Sequence, residues 1–380
     1  MTMAESNSVP RPDELETWYQ LEDVRIDGDR IVYYGEPLIP EKRLHRELWP
    51  AFQDAGYELK LARRGEGGTA LVAIPAETVG SQGIPWTNIA LFAVTVLSTL
   101  FVGATGWYFV PFSEIAANPL AILEAWPFTA AVLGVLMTHE FGHYAMGRYH
   151  DVTVSLPYVI PFVFPFGTLG AIIKMKSRMP DRKALFDIGV AGPIAGLVAT
   201  VVVTAIGLTL GPVELPARVV EQSQSAESIV FNNPPLMDLI AWVLGEQVVY
   251  NDPSLNPHPV IIGGWVGMFF TFLNLLPVGQ LDGGHMVRAM VGRRQETIAA
   301  LVPVALFTVA GYLYYVRDLG LNDSVGLWAF WGLFSLVIAY KGPADPADET
   351  PLGRPRLLVG MVTFAFGLLC FMLVPIQLVG

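Results

Sequence analysis

The stretch VLGVLMTHEFGHYAMGRYH, residues 132–150, combines two properties that rarely occur together. Most of its side chains are apolar enough for the interior of a membrane, yet its middle carries His139, Glu140 and His143. Ionisable groups at membrane depth are costly and usually mark a functional site. The stretch therefore predicts a membrane helix with a chemical function, and the fold has to accommodate these three side chains.

The composition of the whole chain is that of a membrane protein. Its 380 residues are 53% hydrophobic and 15% charged, whereas about a quarter of the residues of a soluble globular protein are charged. Because about 20 helical residues cross the hydrocarbon core, we expect a polytopic α-helical membrane protein with about seven transmembrane helices, embedded in the lipid bilayer. The apolar segments lie at 86–109, 121–148, 185–211, 260–280, 297–316, 325–341 and 357–379.

Two regions depart from the pattern of spanning helices. Residues 1–85 are polar and acidic, and their hairpin and helix patterns predict a small soluble α/β module. Residues 155–176 are apolar but interrupted by prolines and glycines, which exclude a simple spanning helix. Irregular backbone at membrane depth has to pack against protein or line a polar cavity. We therefore expect a re-entrant β-hairpin or loop there.

Charge predicts the orientation and limits the partners. Basic residues cluster in the loops at 148–183, 288–294 and 341–356, whereas the alternate loops hold almost none. The positive-inside rule then places the N-terminal module and the active-site side in the cytoplasm of a multi-pass cell-membrane protein. A net charge of −11 indicates no nucleic-acid partner, since nucleic-acid binding requires an extended basic surface. The single cysteine, Cys370, excludes a disulfide framework and a thiolate metal site.

The spacing of the two histidines predicts a metal site. On a helix, His139 and His143 lie on one face, and this separation lets two imidazoles bind one zinc ion. Glu140 projects about 100° around the helix, where it can take a proton from a water molecule without binding the metal itself. Zinc lowers the pKa of such a water towards about 7.

A catalytic zinc ion usually has a third protein ligand. Asp282, in FLNLLPVGQLDGGHMVRAM (272–290), is the best candidate, because Pro277 and the glycines around it loosen the helix at the predicted depth of the histidines. Asp187 is a weaker candidate, interpreted as a charge at a helix N-terminus. We expect His285 at the membrane interface and not as a ligand.

Two motifs together resemble those of a known family. HEFGH (139–143) and NLLPVGQLDGG (274–284) resemble H-E-x-x-H and N-x-x-P-x-x-x-L-D-G of the site-2 protease family of intramembrane zinc metalloproteases. GTLGAIIKMKSRMPDRKALFDIGVAGPIAG (167–196) is similar to its prokaryotic and plastid-type branch, and the match covers about residues 86–295. Since the first residues lack the pattern of a transit peptide, we expect a prokaryotic member.

The resemblance implies a zinc metalloendopeptidase that cleaves transmembrane segments of membrane-protein substrates near the cytoplasmic leaflet, as in regulated intramembrane proteolysis. It implies one Zn²⁺ per chain, with His139, His143 and Asp282 as ligands and Glu140 as the catalytic acid and base. Asn274 matches the motif asparagine and is implied to position the substrate or the developing oxyanion.

The hairpin region suits substrate binding. A protease has to unwind a membrane helix before water can attack it, and an exposed strand edge can bind the unwound segment by β-addition. We expect this edge at Gly167, Thr168, Leu169 and Gly170.

The predicted organisation has three regions: the module at 1–85, a membrane metalloprotease core at 86–295 and additional transmembrane helices at 296–380. Within the core we expect a zinc helix, the hairpin and a span that carries Asp282, at 121–148, 155–176 and 260–284.

Alternatives from other classes remain open at this point. A membrane transporter or ion carrier would use His and Asp along a pathway, with polar residues spread through several spans. A catalytically silent, zinc-bound scaffold would be expected to have lost Glu140 or a ligand. Zinc proteases that trim prenylated tails also carry H-E-x-x-H, but they would need a glutamate as third ligand, and no later span offers one.

Overall fold

The computed structural model describes residues 15–63, 69–75, 84–175, 179–225 and 228–379. The chain divides into two compact units, Met1–Pro85 and Trp86–Gly380. The parts of the predicted module at 1–14, 64–68 and 76–83 lie outside the described residues, as do residues 176–178 at the end of the predicted hairpin.

The first unit is an antiparallel sheet with one helix packed on it. The strand order is β1-β2-β4-β3, where the elements are β1 (Tyr19–Asp27), β2 (Arg30–Pro37), α1 (Glu41–Asp54), β3 (Tyr57–Arg63) and β4 (Thr69–Pro75). Leu44, Leu48 and Phe52 recur at helical spacing and are buried, so α1 covers the sheet with one apolar face. The Phe52 ring meets the Tyr33 ring of β2 edge to face.

The second unit is mostly helical. Its helices are α2 (Trp86–Val102), α3 (Phe112–Ala117), α4 (Trp126–Tyr149), α5 (Arg182–Thr209), α6 (Ala217–Ser225), α7 (Pro235–Leu244), α8 (Val260–Asn274), α9 (Asp282–Val291), α10 (Gln295–Tyr315), α11 (Gly326–Lys341) and α12 (Arg354–Leu369). Its strands are β5 (Tyr158–Pro161), β6 (Thr168–Ile172), β7 (Met179–Asp181), β8 (Val213–Glu214), β9 (Ser228–Phe231), β10 (Leu255–Asn256), β11 (Pro346–Asp348) and β12 (Ile376–Val379).

Helices α4, α5 and α8 form the centre of this unit and meet through small residues. A Cβ added at Gly263 of α8 would lie 2.6 Å from the Cβ of Ala131 on α4. A Cβ at Gly267 would lie 2.1 Å from the Thr200 hydroxyl on α5. Small residues let membrane helices approach closely, and dispersion forces then hold them together.

The number of spans differs from the sequence expectation. Among the described residues, the helical stretches long and apolar enough to cross a membrane number five. They are Trp86–Trp107, Pro119–Tyr149, Arg182–Thr209, Asp282–Tyr315 and Leu321–Lys341. The chain is therefore a membrane protein, but the exact count of seven spans is not confirmed.

The predicted spans at 260–280 and 357–379 are shorter in the structure. Helix α8 has 15 residues and ends at Asn274, because Pro277 and Gly279, whose φ is +53°, follow it. Asp282 consequently begins α9 and does not lie on the span of α8. Helix α12 has 16 residues and ends at Leu369, and β12 then pairs with β9 instead of extending the helix.

The Pro/Gly-rich region contains the antiparallel pair β5–β6. Polar side chains of α2 form hydrogen bonds with the outer edge of β5 and with the two residues before it. The Asn88 amide donates to the carbonyls of Leu156 and Pro157 at 2.9 Å, and the Thr95 hydroxyl lies 3.1 Å from the Val159 carbonyl. Since unpaired backbone groups in lipid cost several kcal/mol each, these contacts make extended backbone tolerable at this position.

We predict that Gly263→Leu destabilises the protein, because the added side chain would have to displace the α4 backbone at Ala131. Overpacking of this kind costs about 1–3 kcal/mol, and thermal unfolding in detergent should show a lower midpoint. Gly134→Leu is the matched control, because Gly134 is exposed on α4 and a Cβ there meets nothing within 4 Å. Equal unfolding midpoints for the two variants would contradict the prediction.

Candidate metal centre

Three candidate ligand side chains converge inside the helical unit. Nε2 of His139 lies 3.1 Å from Nε2 of His143 and 3.0 Å from Oδ2 of Asp282. Nε2 of His143 lies 3.2 Å from Oδ1 of Asp282. Helix α4 supplies both imidazoles from one face, and the first residue of α9 supplies the carboxylate. The His-Glu-x-x-His helix and the later Asp-Gly motif thus meet at one point.

The donor geometry fits a zinc ion. Ligand atoms about 2.0–2.1 Å from a tetrahedral zinc lie about 3.3 Å from one another, close to the three separations found here. Nδ1–H of His143 donates to the Ile188 carbonyl at 2.7 Å, which leaves a lone pair on Nε2, the atom that faces the other two donors. A second hydrogen bond of this kind is the usual way in which proteins orient a metal-binding imidazole.

Glu140 is buried beside this group. The backbone N–H of Ile173, just after β6, donates a hydrogen bond to its carboxylate. Among the described residues, Oε2 of Glu140 is buried without a hydrogen-bond partner. An unpaired buried carboxylate oxygen is costly, so this position suits a water molecule or substrate group next to the three donors.

Helix α5 leaves room for the imidazoles because glycines face them. A Cβ at Gly192 would lie 2.0 Å from Nε2 of His143, and one at Gly196 would lie 2.8 Å from Nδ1 of His139. One turn earlier, a Cβ at Gly189 would lie 3.3 Å from the Cβ of His285. The small-residue motif AGPIAG therefore provides the space in which the histidines sit.

The remaining predicted site residues lie at different distances from the centre. Asn274, the last residue of α8, has its Nδ2 atom 3.3 Å from Nε2 of His139. Gly167 packs on the backbone of Thr99, and Thr168 is buried with its hydroxyl 2.9 Å from the Ile160 carbonyl. Leu169 is exposed. The hairpin reaches the metal centre at the other end of this strand, where the backbone N–H of Ile173 donates to the Glu140 carboxylate.

Two further titratable side chains lie outside the donor group. Asp187 lies near the start of α5, as expected, where Arg356 binds both of its oxygens at 2.8 Å and His150 lies 3.0 Å from Oδ2. His285 is buried and, as expected, is not one of the three grouped donors. Ile173 was not predicted from the sequence, because it contacts Glu140 through its backbone N–H, which every residue except proline has.

The arrangement is typical of one class of protein. Two imidazoles at i and i+4 on a helix, a carboxylate from a second helix and a neighbouring glutamate form the donor set of a zinc-dependent hydrolase. Here that set is buried within membrane helices.

Comparison with known proteins agrees with this class. The model of peptidase family M50 matches residues 127–311, which include His139, His143, Asn274 and Asp282. Residues 127–311 therefore match the peptidase family M50 domain, and the resemblance of the chain to site-2 proteases is confirmed.

Several relatives are plant proteins. The chain is 36% identical over 241 residues to "Probable zinc metalloprotease EGY1, chloroplastic" of Arabidopsis thaliana, over 62% of this chain and 41% of that protein. It is 27% identical over 322 residues to "Probable zinc metalloprotease EGY2, chloroplastic" of the same species, over 83% of this chain and 54% of that protein. The chain thus spans less than two thirds of the length of either relative.

A solved structure was also matched. The site-2 protease of Methanocaldococcus jannaschii is 14% identical, over 69% of this chain and 93% of that one, with a TM-score of 0.31. This score is too low for comparison of individual elements.

We predict that Gly192→Ala lowers the zinc content well below one per chain, because the new Cβ would occupy the position of Nε2 of His143. Gly311→Ala is the control, since a Cβ there meets nothing within 4 Å. Metal analysis of both purified variants measures the effect. Full zinc content in Gly192→Ala would show that the imidazole has room elsewhere.

Proposed function

We propose that the chain is an intramembrane zinc endopeptidase that cleaves transmembrane segments of other proteins near the cytoplasmic leaflet. The observation that carries this proposal is the meeting of His139, His143 and Asp282 at separations of 3.0–3.2 Å beside buried Glu140. These three residues would hold one Zn²⁺. We place the chain in the cell membrane, and its basic loops support an orientation with the N-terminal module in the cytoplasm.

The proposed roles follow from the positions of the side chains. A zinc ion held by His139, His143 and Asp282 would act as a Lewis acid towards the scissile carbonyl and would make water acidic enough to react near neutral pH. Glu140 takes the proton of the water on its unpaired Oε2 and later gives it to the leaving amine. The Asn274 amide, next to His139, would donate to the oxyanion that develops on the carbonyl.

The free edge of β6 is suited to bind the substrate. The Val159 carbonyl of β5 faces α2, and Val159 pairs with Ala171. Opposite residues of an antiparallel pair turn their backbone groups towards each other or both away. The backbone groups of Ala171 therefore point to the free edge, as does the N–H of Ile173 two residues later.

An unwound substrate segment could pair with this edge from Leu169 to Ala171, beyond Gly167, whose carbonyl already accepts from the Ser98 hydroxyl and the Phe162 N–H. β-Addition supplies main-chain hydrogen bonds without demanding a particular sequence. The strand then leads the substrate towards Glu140.

The rival functions are less well supported. A transporter pathway needs polar groups distributed along several spans, whereas these donors converge on one centre. A silent scaffold does not need the glutamate, and Glu140 is present and placed beside the donors. The relatives whose names include zinc metalloprotease also favour the enzyme.

We predict that Glu140→Gln retains about one zinc per chain but cleaves at least about 100-fold more slowly, because a general acid–base group contributes about 10²–10⁴-fold. Asp282→Ala should lose most of its zinc along with its activity. Metal analysis and cleavage of model transmembrane segments by the purified protein test both. Loss of zinc from Glu140→Gln would contradict the division of roles, and zinc-free wild-type protein would contradict the proposal.

We predict that Ala171→Pro lowers kcat/KM about fivefold, mainly through KM, because proline removes one N–H from the free edge. Proline is tolerated where the strand N–H faces away from the partner strand, and one hydrogen bond is worth about 1 kcal/mol. Ala171→Val is the matched control and keeps the N–H. Equal kcat/KM for the two variants would exclude substrate pairing at this residue.

A further inference from the structure

Residues 342–349, called the strap here, follow α11 and form the first part of its connection to α12. They lie beyond the matched residues 127–311 and were assigned no role from the sequence. The strap contains β11, which pairs in parallel with β7. Because β7 leads directly into α5, this pairing places the strap next to the helices of the metal centre.

The strap contacts the metal-binding turn through a buried histidine. The backbone N–H of Ala344 donates to Nδ1 of His285 at 3.3 Å, and the same imidazole hydrogen-bonds the Gln280 backbone. Gln280 lies two residues before Asp282, and His285 lies three residues after it. One imidazole thus joins the strap to both sides of the residue that supplies the carboxylate.

A second contact lies one turn further along α9. Nη2 of Arg288 is 3.0 Å from Oδ1 of Asp345 and 2.6 Å from Oε1 of Glu349. The Arg288 side chain is 6% exposed, while those of the two acids are 72% and 43% exposed. Nε of Arg182, the first residue of α5, donates to the Ala289 carbonyl at 2.7 Å, which fixes α9 against α5.

Asp282 has particular need of such support. It is the first residue of α9, where a helix frays most readily, and it follows a turn that contains Gly279 in the left-handed region, with φ +53°. A metal ligand has to be held to within about half an ångström of its productive position. The two histidine ligands lie within α4, whereas the position of Asp282 depends on what contacts the start of α9.

We infer that the strap is a positioning element of the metal centre and that His285 is the positioning residue through which it holds Asp282. This inference rests on the proposed function, because it takes Asp282 as a zinc ligand. It gives the C-terminal region a role in the chemistry. Release of the strap from α9 should loosen the carboxylate and speed the loss of zinc, with both histidines in place.

The test measures the rate at which a chelator removes zinc from the full-length protein in detergent. Partners behind a metal ligand typically contribute about 10–100-fold in metal affinity, so we expect about tenfold faster loss from His285→Leu. His285→Asn should lose zinc more slowly than His285→Leu, because its side-chain oxygen can take the place of Nδ1 as acceptor for the Ala344 N–H, although it is too short to keep the Gln280 contact. The cobalt-substituted Leu variant should show visible bands shifted from those of wild type, since a looser carboxylate changes the ligand field, whereas the Asn variant should lie closer to wild type.

Variants on the strap itself distinguish loss of the strap contact from misfolding around a substituted His285. Asp345→Asn combined with Glu349→Gln removes both ion pairs with Arg288 and should also speed zinc loss. Asp348→Asn is the control, because Asp348 lies on the strap but bonds Thr350 instead of α9, and it should behave as wild type.

Every outcome of these measurements either supports the inference or overturns it. Loss from His285→Leu at the wild-type rate, or equally fast loss from Leu and Asn, would overturn the inference. Equal effects of Asp348→Asn and of the double variant would also overturn it, because strap charge alone would then explain them. Wild-type protein that binds no zinc would instead overturn the proposed function.

Discussion

Buried polar groups at membrane depth need partners, and the structure around the metal centre depends on this constraint. Lipid offers no hydrogen bonds, so an unpaired polar group costs several kcal/mol. The His143 imidazole donates a hydrogen bond to the Ile188 carbonyl, and the Ile173 N–H donates one to the Glu140 carboxylate. The α2 side chains meet the same need for the outer edge of β5. Oε2 of Glu140, which has no hydrogen-bond partner among the residues that the structure describes, is the atom that takes the proton in the proposed reaction.

Room for these polar groups comes from small residues on neighbouring helices. Gly192 and Gly196 bring the α5 backbone against the two imidazoles, which both orients the rings and excludes lipid from them. Gly263 and Gly267 bring α8 close to α4 and α5 in the same way. Asn274, at the end of α8, reaches His139 because of this close packing. Packing and chemistry therefore constrain the same residues, and larger side chains would disturb both.

The sequence predicted the centre better than the fold around it. His139 and His143 share a face through local helical spacing, and Asp282 belongs to a motif whose breaking residues, Pro277 and Gly279, are visible in the sequence. The number of spans was harder, because α12 ends at Leu369 where β12 pairs with β9, nearly 150 residues earlier. Other contacts also join residues far apart in the chain: Arg356 lies 169 residues from Asp187, and Ala344 of the strap lies 59 residues from His285. Such pairings depend on the assembled fold and leave no local pattern.

In the proposed enzyme, substrate binding and proton transfer share one strand. The free edge offers its backbone at Ala171, and Ile173 of the same edge holds Glu140. Two residues of strand span about 6.6–6.8 Å, so a segment paired at Ala171 extends past Glu140 within one further pair of residues. The peptide bond presented to the centre would then be set by the pairing register and not by side-chain identity. Selection among substrates would depend on which membrane helices unwind readily enough to reach the strand, because pairing itself discriminates little between sequences.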